Sequence, residues 1–273
     1  MIKAFAVDLD GTLLNKDGSL DQNACVFLNR LQSEGYTLIV ATGRKLSEAQ
    51  AIMKQLRLSE YGNAAILADG QYLYDYKDQE TSVQPFLTFP EDYLEIIGGF
   101  TKKFRDVRLI TAAQDYIVYS SVFCANFWKG AMKRLFKLRN PLKGVLIGSR
   151  KRVEKVEKIA IVPWNPLSEC TDEKSFERYQ TAFVHDKKRF EFKARGVNKC
   201  ETLKKYLHRH KLSADSVAVF GNDENDLEML RAFSNSYAVD TAPEHVKKCA
   251  RKIIAYDNGN GVLLEMQNIL EKG

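Results

Sequence analysis

Apolar and polar positions along the first third of the chain predict strands and helices in alternation. Short apolar runs indicate buried strands, and the segments between them place apolar residues at helical spacing. Strands that alternate with helices predict a parallel sheet covered by helices on both faces. An apolar stretch after Gly70 predicts a hairpin with the third strand. The predicted strands are 2–9, 36–43, 64–69 and 71–76, and the predicted helices are 22–34 and 46–57.

The last third of the chain repeats the same alternation. Apolar runs again predict strands, and each is followed by a segment with helical spacing. This pattern predicts that both ends of the chain contribute to one parallel sheet. The predicted strands are 216–221, 236–239 and 252–256, and the predicted helices are 198–210, 225–233, 243–249 and the segment that carries GVLLEMQNIL.

The middle of the chain has a different pattern, with more aromatic residues and prolines. The paired runs VRLITAA with DYIVYSS, and TAFVHD with RFEFKA, predict an antiparallel sheet with helices on one face. The predicted fold class is therefore α/β, with a doubly wound parallel-sheet core and an inserted α+β domain. The core is predicted at 1–82 and 192–273, and the inserted domain at 83–191.

Composition favours a globular protein of the cytoplasm. The chain has 273 residues, of which 45% are hydrophobic and 28% are charged. Its apolar runs are far shorter than the ~20 residues of a membrane span, and the N-terminus shows no secretion signal. The five cysteines are scattered and form no CxxC pair, which favours free thiols in a reducing compartment.

Positive charge is concentrated in the middle of the chain. The formal net charge is +6, and residues 129–158 contain eleven Lys or Arg against two Glu. This cluster has three interpretations: a solvated surface, a region that attracts an anionic small molecule, or a nucleic-acid contact. No nucleic-acid-binding motif accompanies it, so nucleic acid is not an expected partner.

The first strand runs into two carboxylates, Asp8 and Asp10, followed by Gly11. Ligands of open parallel sheets gather at the carboxyl ends of the strands. Two carboxylates so close together repel each other unless they share a proton or a cation, and a hard ion such as Mg²⁺ prefers oxygen ligands. The pair is therefore a candidate metal site, and the alternative is a surface turn without chemistry.

Two further segments suggest an anion site. Thr42 and Gly43 end the second strand just before a helix, whose free backbone N–H groups attract anions, and Arg44 could add charge. Lys199 begins a helix, where a lysine opposes the helix dipole unless it faces an anion. The alternatives are a simple helix cap at Thr42 and an ordinary surface lysine at 199.

The segment 222–226 follows a strand and contains Asn, Asp, Glu, Asn and Asp in succession. Capping of the next helix needs only one such residue, so this density of oxygen donors favours a ligand site over capping alone. His208 and His210 also have a suggestive spacing, but alternate residues of a helix point apart, which does not favour a metal role.

In this chain order, DLDGTLL, ATGR, the lysine of RGVNKCETLKKYL and GNDENDLEML resemble the haloacid dehalogenase superfamily. The resemblance extends over nearly the whole chain and is to the Cof-type (subclass IIB) phosphatases, which carry a large α+β cap. It implies that Asp8 is the nucleophile and a metal ligand. It also implies that Asp10 is the general acid and base, and that its backbone carbonyl binds the metal.

The same resemblance implies the other site residues. The phosphoryl group is expected to be held by Leu9 through its backbone, Thr42, Gly43, Lys199 and Asn225. The Mg²⁺ ion is expected to be bound by Asp8, Asp10, Asn222, Asp223 and Asp226. The implied function is Mg²⁺-dependent hydrolysis of phosphate monoesters of small metabolites through an aspartyl-phosphate.

Two positions depart from the family pattern. Asn222 stands where the family usually has Asp, and its uncharged amide predicts weaker metal binding or a changed metal preference. This departure leaves open a phosphometabolite-binding regulator with weakened catalysis, and a phosphomutase of the same superfamily is a further alternative. Asp69, where the family often has Asn, is assigned no role beyond a turn. The sequence predicts no oligomeric state.

Overall fold

A computed structural model describes most of the chain. The described residues are 1–78, 80–83, 104–111, 116–119, 143–146, 156–163, 179–184, 189–256 and 259–272. They form two compact units, one of Met1–Gln84 with Val197–Gly273 and one of Pro85–Gly196. The sequence-based boundaries at 82/83 and 191/192 lie close to these divisions.

The first unit contains an eight-stranded sheet. Its strands are β1 (Ala4–Val7), β2 (Thr37–Ala41), β3 (Ala64–Leu67), β4 (Tyr72–Asp75), β5 (Glu80–Val83), β12 (Val217–Gly221), β13 (Asn235–Val239) and β14 (Lys252–Ile254). Their order across the sheet is β14-β13-β12-β1-β2-β3-β4-β5. The pairs from β14 to β3 are parallel, whereas β3–β4 and β4–β5 are antiparallel. The predicted parallel sheet and hairpin are confirmed.

The central strands are continuously apolar because both faces of the sheet are covered. Every residue of β1, β3 and β12 is buried, as expected for parallel strands covered on both faces. β1 lies between β2 and β12, with Val7 opposite Val40 on one side and Phe220 on the other. Pairing with a neighbour on both sides fixes where β1 ends, and so where the segment that begins with Asp8 leaves the sheet.

Helices follow the strands as predicted. Their bounds are α1 (Gln22–Ser33), α2 (Leu46–Gln55), α3 (Lys199–Arg209), α4 (Leu227–Ala232), α5 (Glu244–Lys247) and α6 (Asn260–Lys272). α1 shows why the sequence folds this way: the Asp21 carboxylate caps its N-terminus by accepting from the N–H groups of Asn23 and Ala24. Leu28 and Leu31 then lie on its buried face. In the described part of the chain, no helix has the length and apolar character needed to cross a membrane.

The second unit contains a six-stranded sheet. Its strands are β6 (Phe104–Thr111), β7 (Tyr116–Tyr119), β8 (Lys143–Leu146), β9 (Val156–Pro163), β10 (Tyr179–Val184) and β11 (Arg189–Ala194), in the order β10-β11-β9-β6-β7-β8. The predicted pairs β6–β7 and β10–β11 are antiparallel neighbours. β7 and β8 pair in parallel, which corrects the expectation of a wholly antiparallel sheet. The helices predicted for 83–191 lie outside the described residues.

Candidate active site

The candidate site lies at the carboxyl ends of the parallel strands. Asp8 follows β1, Thr42 follows β2 and Asn222 follows β12. Backbone hydrogen bonds continue the sheet into these loops: the Asp8 N–H donates to the Phe220 carbonyl (3.1 Å), and the Thr42 N–H donates to the Ile66 carbonyl (2.8 Å). Three loops from distant parts of the chain therefore leave the sheet side by side, where ligands of such sheets bind.

The ammonium group of Lys199 lies between two carboxylates. Its Nζ donates to Asp8 Oδ1 at 2.7 Å and to Asp226 Oδ1 at 2.8 Å. The Lys199 side chain is fully buried, which excludes the alternative of an ordinary surface lysine. As the first residue of α3, behind an N-cap at Asn198, it joins the helix to the ends of β1 and β12.

Burial and charge together set the protonation of this cluster. Burial raises the pKa of Asp8 to about 7, the Lys199 charge opposes this rise, and the Asp226 charge adds to it. For Lys199, burial lowers the pKa, but the carboxylates of Asp226, Asp8 and Asp69 outweigh burial and raise it. Lys199 is therefore a permanent cation, and Asp8 is a carboxylate whose charge is only partly compensated.

Asp226 organises the loop after β12. Its Oδ2 accepts hydrogen bonds from the backbone N–H groups of Asn222 (2.9 Å) and Asp223 (3.2 Å), while Oδ1 accepts from Lys199. A Cβ atom on Gly221 would come within 2.5 Å of the Asp226 Cγ, so only glycine permits this approach. Both Asp226 oxygens thus already serve protein donors. Its predicted role as a metal ligand stays a prediction.

Asn222 lies against the turn that follows Asp8. The Thr12 hydroxyl donates to Asn222 Oδ1 at 3.1 Å. Gly11 has φ +77°, and a Cβ there would lie 2.4 Å from Asn222 Nδ2. Gly11 is therefore required both by its left-handed backbone and by the Asn222 side chain.

Asp10 is engaged by Arg44. Two hydrogen bonds, from Nε to Oδ2 (2.8 Å) and from Nη2 to Oδ1 (2.6 Å), join the guanidinium to the carboxylate. The hydrogen bond to Asp10 raises the pKa of Arg44. More than half of the Asp10 side chain is exposed, so this pair can separate without opening the core. The sequence suggested Arg44 as a charge for an anion, and here that charge faces Asp10.

The loop after β2 brings Thr42 and Gly43 to the same edge. α2 begins at Leu46 with Lys45 as its N-cap, so the alternative of Thr42 as the helix cap is wrong. The Thr42 hydroxyl instead accepts from the Arg44 N–H at 3.1 Å. Thr42 is fully buried, and its hydroxyl therefore has a fixed position in the loop.

Asp69 is the residue that the sequence analysis undervalued. It forms the expected turn after β3, with φ 57° and ψ 34°. Its carboxylate also accepts a hydrogen bond from Asn225 Nδ2 at 2.8 Å, and a Cβ on Gly43 would lie 2.9 Å from Asp69 Oδ1. Asp69 thus contacts two predicted phosphate-binding residues. Its place two residues after the parallel strand β3, close to where Asp8 follows β1, was the available signal.

The remaining predicted site residues have local roles. Leu9 is buried, and a hydrogen bond from its backbone lowers the pKa of Asp8, against the larger effect of burial. Asp223 is exposed, and its carboxylate accepts from the Glu224 N–H at 2.8 Å. Capping therefore explains part of the polar run 222–226. The other side chains make distant contacts: Asn222 with Thr12, Asn225 with Asp69, and Asp226 with Lys199.

The oxygen donors at this edge suit a hard divalent cation. The Asp8 and Asp223 carboxylates and the Asn222 amide oxygen come from the ends of β1 and β12, and Mg²⁺ prefers such ligands. Burial raises the pKa of Asp8, and a cation beside it would favour the ionised form that burial disfavours. Among the described residues, one group of His, Cys, Asp or Glu side chains has three ligand atoms within 4.8 Å of one another, and that group lies outside the candidate active site. At the active site, amide and backbone oxygens would therefore have to contribute to metal binding.

Comparison with known proteins identifies the family. Residues 5–266 match the family model of the haloacid dehalogenase-like hydrolases. The chain therefore belongs to this family, as the motifs predicted. The parallel α/β core with a separate smaller sheet has the architecture expected of it.

Individual relatives are similar over nearly their whole length. Phosphatase YwpJ of Bacillus subtilis is 22% identical over 98% of this chain and 100% of its own. Pyridoxal phosphate phosphatase YbhA of Escherichia coli is 25% identical over 92% and 93%. The subclass IIB sugar phosphatase BT4131 has the same fold, with a TM-score of 0.72, 18% identity and 98% coverage of both chains. The prediction of a phosphatase of this superfamily is confirmed at the level of enzyme class.

The raised pKa of Asp8 predicts a specific pH dependence of stability. The pKa is about 7 in the folded chain, against an ordinary value of 3.8, so the folded state binds this proton more tightly. The stabilisation is complete below about pH 4 and is lost as the pH rises to about 7. We expect the free energy of unfolding of the wild type, relative to that of Asp8→Asn, to fall over this range in urea denaturation with EDTA present.

The matched control is Asp215→Asn, an exposed residue just before β12 at the opposite edge of the sheet. This variant should keep the wild-type pH dependence. An Asp8→Asn variant whose unfolding free energy followed the wild-type pH curve would contradict the buried, partly compensated state of Asp8.

Proposed function

We propose that this protein is a Mg²⁺-dependent phosphatase that hydrolyses phosphate monoesters of small metabolites through an aspartyl-phosphate on Asp8. One observation carries the proposal: the buried Asp8 carboxylate at the end of β1 shares the Lys199 ammonium with Asp226. This arrangement holds a nucleophilic oxygen beside a fixed positive charge. The family membership and the relatives named as phosphatases support the same reaction class.

In the first half of the reaction, an Asp8 oxygen attacks the phosphorus atom in line with the leaving oxygen. The new bond joins Asp8 to phosphorus, and the bond from phosphorus to the substrate alkoxide breaks. Asp10 gives its proton to the alkoxide, so that a neutral alcohol leaves. Because Arg44 engages both Asp10 oxygens, Asp10 must separate from Arg44 before it can act.

In the second half, water hydrolyses the aspartyl-phosphate. Asp10, now a carboxylate, takes a proton from the water as its oxygen bonds to phosphorus. The bond between phosphorus and the Asp8 oxygen breaks, which restores the Asp8 carboxylate and releases inorganic phosphate. Asp10 ends the cycle protonated, ready for the next leaving group.

The residues around Asp8 stabilise the transferred phosphoryl group by charge and hydrogen bonding. In phosphoryl transfer, this electrostatic work supplies most of the catalysis. Lys199 provides the fixed cation, and Thr42, Gly43, Asn225 and the Leu9 backbone provide hydrogen-bond donors. Asp69 positions the Asn225 amide by accepting from its Nδ2.

The proposed metal site uses Asp8, the Asp10 carbonyl, Asn222 and Asp223. The predicted fifth ligand, Asp226, also holds the loop that carries Asn222 and Asp223. When bound, Mg²⁺ would offset the negative charge that Asp8 and the substrate phosphate bring together. The protein's part is to hold these oxygens at the ends of β1 and β12, where Thr12 orients the Asn222 amide.

The proposed substrate is a small phosphorylated metabolite. Two of the relatives are named for pyridoxal phosphate and sugar substrates, which supports this size class. Residues 83–191 are proposed to form the substrate-specificity domain. The excess of Lys and Arg in 129–158 favours substrates with a second negative charge.

A catalytically weakened, phosphometabolite-binding regulator is the second candidate, and Asn222 favours it. Both candidates bind a phosphate ester, but only the phosphatase releases inorganic phosphate. A panel of phosphorylated metabolites and p-nitrophenyl phosphate, assayed with Mg²⁺, therefore separates the two. Phosphate release supports the enzyme, and binding without release supports the regulator.

Asp8→Asn should abolish phosphate release because an amide cannot act as the attacking oxygen. We expect kcat to fall on the order of a thousandfold or more, measured as inorganic phosphate released with Mg²⁺. Asp215→Asn, on the opposite edge of the sheet, should retain wild-type kcat. Turnover by Asp8→Asn at close to the wild-type rate would exclude this nucleophile.

Asn222→Asp should strengthen Mg²⁺ binding and so lower the Mg²⁺ concentration that activity requires. A carboxylate in place of the amide adds a negative charge next to the proposed ion, and Thr12 can donate to it as it does to the amide oxygen. The Mg²⁺ concentration for half-maximal activity should fall about tenfold, read from metal titrations of phosphate release. An unchanged titration curve would show that position 222 does not contact the ion.

A further inference from the structure

A second cluster of potential ligands lies away from the candidate active site. Asp75 is the last residue of β4 and pairs with Ala64, the first residue of β3. Asp78 follows in the turn after β4, and His210 is the C-cap of α3. Because Ala64 begins β3, this cluster lies at the opposite end of that strand from Asp69 and the candidate active site.

The three side chains converge on a small volume. His210 Nε2 lies 2.7 Å from Asp75 Oδ2 and 3.9 Å from Asp78 Oδ2. One ligand atom from each residue lies within 4.8 Å of the other two. Tetrahedral Zn²⁺, with bonds of about 2.0–2.2 Å, needs ligand atoms about 3.4 Å apart. Small side-chain movements would bring these three atoms to that spacing.

An unsatisfied buried oxygen points independently to a ligand. The Asp75 side chain is completely buried, and its Oδ1 has no hydrogen-bond partner among the residues that the structure describes. A buried carboxylate oxygen without a partner is costly. His210 and Arg209 contact the other oxygen, Oδ2. A cation bound by both Asp75 oxygens would therefore satisfy Oδ1, and His210 and Asp78 would complete the ligand set.

We propose that Asp75, Asp78 and His210 form a binding site for a divalent transition-metal ion of the Zn²⁺ type. One imidazole nitrogen with two carboxylates suits Zn²⁺ better than Mg²⁺, which prefers oxygen ligands alone. Binding replaces the hydrogen bond between His210 and Asp75 by two metal bonds. Arg209 lies 3.4 Å from Asp75 Oδ2 and is one-third exposed, and its guanidinium would have to move away from Asp75 when the cation binds.

The site would connect the β4 hairpin to the end of α3. Asp75 and Asp78 belong to the hairpin, and His210 closes the helix that begins with Lys199. A ligand that binds only the folded chain stabilises it by mass action. Zn²⁺ should therefore raise the melting temperature, whether or not the protein is a phosphatase, so the proposal is independent of the proposed function.

The test measures Zn²⁺ binding by calorimetry and the melting temperature with and without Zn²⁺, with excess Mg²⁺ present to occupy the candidate active site. Wild type should bind one Zn²⁺ and show a raised melting temperature. His210→Gln and Asp78→Asn should each weaken Zn²⁺ binding about a hundredfold or more and lose the rise. His208→Gln removes an exposed histidine of the same helix and should behave as wild type.

Far-UV circular dichroism of each variant shows whether it is folded. Asp78 is 44% exposed, so Asp78→Asn tests the site even where His210→Gln disturbs the helix end. Absence of Zn²⁺ binding by wild type overturns the proposal. Retention of wild-type binding by either folded ligand variant, or its loss in His208→Gln, also overturns it.

Discussion

The buried ion pair network of Lys199 with Asp8 and Asp226 is the interaction on which the site depends. It joins the end of β1, the start of α3 and the loop after β12, which lie far apart in the chain. An unpaired charge in such a position costs several kcal/mol, on the order of 3–5, so each partner needs the others. The network therefore fixes the proposed nucleophile, Asp8, and the proposed phosphate-binding cation, Lys199, with a single set of contacts.

The network has more negative than positive charge, and this excess affects both the stability of the fold and the proposed chemistry of Asp8. Two buried carboxylates share one ammonium, and Asp69 adds a third negative charge near Lys199. The raised pKa of Asp8 favours its protonated form, whereas the proposed reaction needs the carboxylate. The proposed Mg²⁺ ion would resolve this conflict by favouring the ionised form. Without such a cation, the ionised form of Asp8 is held at a cost in stability.

The sequence predicted the core fold because the strands and helices follow from local patterns of apolar residues. Apolar runs predicted the strands. Asp8 and Lys199 were singled out by the order of their motifs along the chain, since each alone could be a surface turn or an ordinary surface lysine, and the structure brings the two side chains together. Pairings between distant side chains could not be foreseen in this way. Arg44 turns to Asp10, and His210 turns to Asp75 only because the β3–β4 hairpin brings that carboxylate to the end of α3.

The covalent step on Asp8 is the central claim, and trapping tests it most directly. The enzyme would be quenched during turnover of a phosphate ester, reduced with borohydride to convert an aspartyl-phosphate to homoserine, and digested for mass spectrometry. The account predicts that the peptide containing residues 5–15 carries this conversion at position 8, and only when substrate was present. Conversion at any other residue, or a phosphorylated side chain elsewhere, would contradict it.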